Sequence, residues 1–542
     1  MTQTDQIKRE EMNTMTQPFP QDSKSIKDFK VIFINPPHLY SKTNIGAGIA
    51  PPLSLMYLGA VCEKQGYNVR CLDAAVEAPD QISELKANIF YRGMKIEDVS
   101  RAIDPDTDFV GITNLFSIAF PIVLALVNKI REDHPFLKIA LGGAHPSGVP
   151  KEILEHPAVD YVILSEGEDT CIALCEAVRT QDYVKFKSLD GIAYRENNEI
   201  IVKPKINFNL DLDALPFPAR HLVPHDRYTE LREAHGPTQG KYTTMLTSRG
   251  CPFKCTFCTP QLWNFKYRIR SAKSVVDEME HCYKNYAITE FHIEDENLTV
   301  DKARLLEICN EIKRRNLRVK WQTPNGIRAS VTDWEMLKAM KEAGCYHITV
   351  APESGSERVL KDIVKKTQKL ESVTMVVERA AKLGIHVAAY FLMGVPGEKK
   401  EDIELSIAYM KQLAKVGLDE VAVGIFCPLP GSALYAQLKS EGKLPSSWEG
   451  YANFMDITKA KSWSEYITDE EILKYRNKGY LVFHLTKLVY HPGKVLRSFL
   501  NILLGKQSLK TEKEIHAIIS RFVITRLRWI FKRSHDPLLI HQ

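Results

Sequence analysis

The chain has 542 residues, of which 44% are hydrophobic and 26% charged, with 11 cysteines and a formal net charge of +5. That length is too great for one compact core and predicts three or four domains. The scatter of the cysteines argues against a disulfide framework, and no stretch of about 18 apolar residues is present to span a bilayer.

Residues 1–27 are polar, include Pro18 and Pro20, and read as a disordered tail without the apolar core of a signal peptide. A first domain is predicted over 28–205. Its strands are Phe29–Asn35, Asn68–Asp73, Phe109–Thr113, Lys138–Gly142 and Tyr161–Ser165, with helical patterns such as Leu53–Gln65 between them. This rhythm predicts an α/β fold with a doubly wound, Rossmann-like parallel sheet whose ligand crevice lies at the carboxyl ends of the strands. The loops at those ends hold Asn35-Pro36-Pro37, Asn114, Gly142-Gly143-Ala144-His145-Pro146 and Glu166-Gly167-Glu168. His145 reads as a loop histidine capping the following helix, with ligand as its other reading. Gly191–Lys203 alternates around Asn197-Asn198 and predicts a closing hairpin.

Residues 206–240 lack periodicity and read as a linker. From 241 to 445 the βα rhythm restarts, with strands at Thr243–Thr247, Glu290–Ile293, Lys320–Thr323, His347–Val350, His386–Met393 and Glu420–Phe426. Six such units predict a partial (β/α)6 TIM-type barrel with its chemistry at the carboxyl face. Residues 446–542 form a helical region with breaks at His491-Pro492-Gly493 and Gly505. From Leu481 to Arg533 it carries 11 Lys/Arg against two acids, so the body of the protein is mildly acidic, which argues against nucleic acid as its partner.

Immediately after the first barrel strand stands Cys251-Pro-Phe-Lys-Cys255-Thr-Phe-Cys258. Three thiolates from one loop are one fewer than a closed cubane or a tetrahedral zinc requires, which leaves a coordination position for a small molecule. A zinc ion completed by a remote ligand is the competing reading, and with it a non-enzymatic, zinc-stabilised binding protein. Phe257, between the second and third cysteines, reads as a shield against water or as simple loop packing.

This loop, preceded by Ser248-Arg249-Gly250, resembles the signature of the radical S-adenosylmethionine (SAM) superfamily. The resemblance extends over residues 242–440 and implies a [4Fe–4S] cluster on Cys251, Cys255 and Cys258. Electron transfer to that cluster, from a reductant such as flavodoxin or ferredoxin, would cleave SAM to methionine and a 5′-deoxyadenosyl radical that attacks a C–H bond. By the same resemblance Glu294 or Asp295 would take the SAM amino group, with a helix cap as the alternative for Asp295. Arg328 would pair with its carboxylate, Glu353 and Ser354 would bond ribose or carboxylate, and Gly394 and Pro396 would approach the adenine. Pro352-Glu353-Ser354-Gly355-Ser356 resembles the family's Gly-x-Glu-Ser-Gly segment, and Ala351 and Pro352 depart from the more usual pattern of small and apolar residues there.

A doubly wound domain ahead of such a barrel resembles the cobalamin (B12)-binding, class B branch. Asn35, Pro36, Asn114, Gly142, Gly143, Glu166 and Gly167 are the residues the resemblance assigns to cobalamin. The Asp-x-His-x-x-Gly motif for a cobalt-binding histidine is absent, and a domain that holds no cofactor is the alternative. With both cofactors the resemblance implies C-methylation of a small or lipid-like metabolite, with radical cyclisation or oxidation as the alternative. Free thiols and an oxygen-sensitive cluster predict a cytoplasmic enzyme. The stretch 521–533, five cations among large apolar residues, predicts either peripheral membrane contact or a helix packed on the barrel.

Overall fold

The computed structural model describes residues 24–516 and 519, apart from 42–47, 87–88 and 453–457. The polar stretch 1–23 and the basic stretch 521–533 lie outside the described residues.

The amino-terminal sheet is built on apolar runs such as Lys-Val-Ile-Phe-Ile-Asn, buried on both faces. Its parallel strands are β1 (Lys30–Asn35), β2 (Asn68–Asp73), β3 (Phe109–Thr113), β4 (Lys138–Gly142) and β5 (Tyr161–Ile163), in the order β2-β1-β3-β4-β5. A hairpin, β6 (Ile192–Glu196) and β7 (Glu199–Lys203), extends the β5 edge in antiparallel fashion. Helices α1 (Leu53–Gln65), α2 (Phe120–Asp133) and α3 (Glu168–Thr180) are among those covering the sheet. The order reverses between β1 and β3, so the crevice opens beyond their carboxyl ends. A three-stranded sheet, formed by 38–40, 89–92 and 82–86, was not legible in the sequence because its strands are short and half exposed.

The second sheet runs in sequence order: β8 (Tyr242–Met245), β9 (Glu290–Ile293), β10 (Lys320–Ile327), β11 (Cys345–Glu353), β12 (His386–Met393) and β13 (Glu420–Ile425). All neighbours are parallel, which gives the partial barrel expected. Strands β10 and β11 are longer than their apolar runs predict. Register shifts after Thr323 and Val350 let them continue through Pro324 and Pro352, where a regular ladder would end. Around the barrel lie α4 (Ala272–Tyr286), α5 (Lys302–Arg314), α6 (Trp334–Glu342), α7 (Leu370–Lys382), α8 (Lys400–Val416) and α9 (Ala433–Ser440). Caps fix several starts; for example, Ser271 accepts from the Ser274 amide and Asp333 from that of Met336.

Helix α10 (Asp469–Tyr490) opens with a Thr468/Glu471 capping box and lies along α8, with Phe483 buried and Gly479 against Met410. Helix α11 (Pro492–Leu503) follows the break at His491.

Segment 206–240 is not a loose tether. It contributes the fully buried Tyr228 and Arg220, and the Arg220 guanidinium donates to Glu278 Oε1 at 2.6 Å. Arg270 pairs with the other oxygen of the same carboxylate, and Glu278 is wholly buried. Burial opposes its ionisation, but the two guanidinium charges more than offset this and hold the carboxyl below its usual range. Glu278→Ala would leave two arginines unpaired in the core. It is expected to cost about 3–5 kcal/mol, read as a lowered midpoint in anaerobic urea unfolding.

Candidate active site between the two sheets

The carboxyl ends of the two sheets face one another. Ser165, just after β5, has its hydroxyl on the Leu262 carbonyl of the cysteine loop, and a Cβ on Gly148 would sit 2.7 Å from the Pro430 carbonyl. Arg249, which precedes the cysteines, donates to Glu168 Oε1 at 2.7 Å and lies 3.4 Å from Glu166. Arg268, which follows them, forms a two-pronged pair with Glu166. All four side chains are largely buried. Burial would raise the Glu168 carboxyl, and the Arg249 charge more than offsets it, so the group stays below its ordinary value.

Ser248-Arg249 and Arg268-Ile269 form a short antiparallel ladder, so the cysteine loop is clamped at its base. Gly250 has φ +80°, and a Cβ there would lie 2.0 Å from the Lys266 carbonyl, so only glycine fits. The middle of the loop is tied down by Thr256, whose hydroxyl donates to the Ile363 carbonyl (2.8 Å) and whose carbonyl accepts from the Leu434 amide (3.0 Å). Ile363 belongs to a π-helical turn, Val359–Ile363. Phe257 packs into the apolar cluster of Val359, Leu360, Phe426 and Leu434.

Cys251 and Cys255 are half-buried and Cys258 is exposed. The loop brings them to one mouth without drawing them into a closed metal-holding group among the described residues. Burial raises the Cys251 and Cys255 thiols, while the charges of Lys366 and Arg328 act on Cys255 in the opposite sense. Three thiols beside two cations suit a soft cluster of negative charge.

The residues around the mouth differ in how far they are already committed. Asp295 is buried and saturated: it accepts from the Thr247 amide (2.6 Å) and from the hydroxyls of Thr247 and Ser248 (both 2.5 Å). It caps no helix. Glu296 accepts from the Gly250 amide at 3.2 Å, and burial pushes its carboxyl up to about 7. Among the described residues the Glu294 carboxylate has one hydrogen-bond partner, His235, at 3.4 Å. Arg328 stacks 3.9 Å over the Phe253 ring and donates to the Thr367 carbonyl and hydroxyl, and among the described residues it has no carboxylate in salt-bridge range. Glu353 stands at φ +65°, a costly conformation for a side-chain-bearing residue, and pairs with Lys366 at 2.8 Å. Ser354 is buried on Ser406 (3.0 Å). Gly394 has φ +84° and its amide donates to Glu398 (2.6 Å); Pro396 is buried beside it. Lys366 and Glu398 carried no sequence signal.

On the opposite sheet, Asn35 donates to Asp73 (2.9 Å), which also accepts from the Tyr228 hydroxyl (2.7 Å); Pro36 is buried behind it. Asn114 is buried with both amide atoms unpaired. Gly143, at φ +114°, packs so tightly on Asn114 that a Cβ would lie 2.6 Å from its carbonyl oxygen, while a Cβ on Gly142 would make only ordinary contact with the Ile163 carbonyl at 3.9 Å. Glu166 is taken by Arg268, and Gly167 precedes α3. His145 does not cap a helix from a loop as expected. It lies within a short helix, buried, with Nδ1 on the Ser117 hydroxyl (2.9 Å), Nε2 unpaired and its ring 4.5 Å from Trp448. Burial holds its pKa down at about 3. Unpaired buried amide atoms and a close-packed glycine at a topological switch point fit a bulky polar ligand such as cobalamin.

The chain is 32% identical over 446 residues to a cytidylyl-2-hydroxyethylphosphonate methyltransferase of Streptomyces wedmorensis, covering 76% of this chain and 82% of the relative. The Radical SAM superfamily profile matches residues 245–410. The chain belongs to the radical SAM superfamily. A B12-binding domain profile matches residues 46–175, so this radical SAM protein is of the cobalamin-binding kind. An anaerobic magnesium-protoporphyrin IX monomethyl ester cyclase of Cereibacter sphaeroides is 24% identical over 477 residues, covering 85% of this chain and 71% of the cyclase. Among solved structures, the radical SAM methyltransferase TsrM from Kitasatospora setae, with cobalamin and a [4Fe–4S] cluster bound, matches at a TM-score of 0.59 and 18% identity, covering 76% of this chain and 75% of that one. The cobalamin-dependent enzyme OxsB matches at 0.57 and 19%, covering 81% and 58%. These two likenesses are of fold. The protein is thus a radical SAM enzyme; its family brings a [4Fe–4S] cluster and SAM, and its B12-binding domain brings cobalamin.

Glu398 supplies a test of the Gly394–Glu398 loop. Burial lifts its carboxyl from an ordinary 4.5 to about 8, and its Oε1 has no partner. The folded chain therefore keeps a proton that the unfolded chain releases, so this contribution to stability is full below about pH 4.5 and is lost as pH rises through about 8. Glu398→Gln, which mimics the neutral acid, is expected to flatten that slope and to leave the variant the more stable protein above pH 8, measured as urea midpoints across the range.

Proposed function

We propose that this enzyme is a cobalamin-dependent C-methyltransferase acting on a small or lipid-like metabolite. The observation that carries this is the face-to-face placement of the two crevices, locked by Arg249 and Arg268 against Glu166 and Glu168. A substrate between them meets a corrin on one side and the cysteine loop on the other. Relatives named as methyltransferases support methyl transfer. The cyclase relative supports oxidative ring formation as the second reading, because the same pair of domains serves it.

In this reading Cys251, Cys255 and Cys258 hold the cluster. Of the acids after β9, Glu294 is the one with capacity to spare for the SAM amino group, since Asp295 is saturated and Glu296 holds the Gly250 amide. Arg328 and the Glu353–Lys366 pair border the carboxylate and ribose; Gly394 and Pro396 lie on the adenine side. Asn114, Gly142 and Gly143 would hold the corrin, with Asn35, Pro36, Glu166 and Gly167 shaping the crevice around it. When bound, the cluster and SAM supply a carbon radical and cobalamin carries the methyl group. The chain's own residues orient the substrate and exclude water. The electron would come from a reductant of the flavodoxin or ferredoxin class.

Anaerobic reconstitution tests the cysteine assignment. Replacing Cys251, Cys255 and Cys258 by Ala is expected to abolish the visible cluster absorbance and to lower SAM cleavage by at least about 100-fold; tight zinc without iron in the wild type would overturn it. Gly143→Val, which drives a side chain into Asn114, is expected to lose cobalamin while the cluster absorbance persists. Product masses separate the two reactions: methyl transfer adds one methylene unit, whereas oxidative cyclisation does not.

A further inference from the structure

Helix α11 has a regular apolar stripe, and none of its residues is buried. Leu496, Phe499, Leu500 and Leu503, at helical spacing, are between 48% and 62% exposed, and Leu485 and Val489 of α10 continue the same surface at 54% and 73%. A 12-residue helix with a strong apolar face ordinarily buries it against a partner. A contiguous apolar surface of this kind marks an interaction site, unlike scattered exposed leucines.

The charge around it is one-sided. From Leu481 to Thr511 the chain has five Lys/Arg and no Asp or Glu. Arg497 and Lys506 are exposed, and Lys415 of α8 lies 5.2 Å from the Tyr490 ring. Lys494 anchors the helix through the Gly417 carbonyl (2.8 Å) and Asp419 (2.9 Å). A second copy of the chain docked on this face would set its cations against their equals. The remaining carboxyl-terminal stretch brings six more Lys/Arg against three acids and, being net cationic, would meet the same repulsion. Glu512, the acid packed on this helix, is buried beneath Ser498 and Asn501, so an apolar stripe with Arg497 and Lys506 exposed beside it matches an anionic interface that accepts leucine and phenylalanine below its headgroups. Among the described residues no helix is long and apolar enough to cross a membrane, so the mode is lying on the surface.

We infer that α11 and the end of α10 form a docking face for an anionic lipid bilayer. The anchors Gly417 and Asp419 precede β13, at the amino end of the strands, where the Thr511 amide closes on Glu420 (2.6 Å). The face is therefore at the opposite end of the barrel from the cysteine loop. Docking would leave the reactive mouth toward water, which localises the enzyme without feeding acyl chains into its site.

The test is co-sedimentation of the full-length, reconstituted protein with vesicles of phosphatidylcholine alone or with phosphatidylglycerol. Binding is expected to need the anionic lipid. L496E/F499E/L503E should weaken it by at least about 100-fold, and R497E/K506E by at least about ten-fold with a reduced salt dependence. Because these side chains are exposed, circular dichroism and cluster absorbance should be unchanged; the charge variant gives an independent reading should the triple variant misfold. Wild-type protein that stays in the supernatant, or that binds as well with both sets of changes, would overturn the proposal. So would a dimer in sedimentation velocity that only the apolar substitutions dissociate.

Discussion

Two arginines flanking a cysteine loop, each paired with a glutamate of another domain, hold this molecule's chemistry in place. Arg268 and Glu166 are 102 residues apart in sequence, and both are buried. A buried guanidinium or carboxylate alone would be costly, so each residue makes sense only with the other present. The loop that follows β5 is thereby fixed to the ladder that closes the cysteine loop. The crevice of the doubly wound sheet and the carboxyl mouth of the partial barrel become walls of one chamber. Packing of Tyr435 and Tyr451 into the core of the first domain joins the two sheets as well.

Within the chamber, commitment of side chains sorts the candidates more sharply than residue type does. Three acids stand in a row after β9, yet Asp295 spends its oxygens on Thr247 and Ser248, and Glu296 is drawn to the Gly250 amide. Among the described residues Glu294 has His235 alone as a side-chain hydrogen-bond partner. The same logic separates Asn35, tied to Asp73, from Asn114, whose amide is buried and unpaired. Positive φ recurs here too: Gly250, Gly143 and Gly394 adopt it as glycines readily do, and Glu353 adopts it at a cost. At Glu353 the Lys366 ion pair and the Ser354–Ser406 contact hold a conformation that few side-chain-bearing residues adopt.

Much of the architecture was legible because its causes are local. Apolar runs of five or six residues ending at Asn35, Asp73, Thr113 and Gly142 are strands whatever surrounds them, and helix caps at Ser271 and Asp333 need only their own turn. What misled the reading was long-range. The stretch 206–240 has no period, yet Arg220 threads it into the barrel wall through Glu278. β10 and β11 outrun their apolar cores because register shifts let the chain pass Pro324 and Pro352. His145 reads as a loop residue, and only its packing against Phe120 and Trp448 shows it as part of the core.

The sequence by itself determined a loop of three thiolates after a strand, and the resemblance of that loop to the radical SAM signature implied the reaction class. Cysteine spacing is fixed by covalent geometry, and its place after a strand follows from hydrophobic period, so both survive without a partner domain. It also determined the two-module order, since each βα rhythm is a property of its own segment. The tertiary structure alone decided which acids stay free, which arginines join the domains, and that α11 presents an apolar face not covered by the described residues, at the end of the barrel remote from the cysteines. Those outcomes depend on pairing between residues far apart in the chain. A hydrogen-bonding group or an apolar stripe is available only if nothing distant has already claimed it.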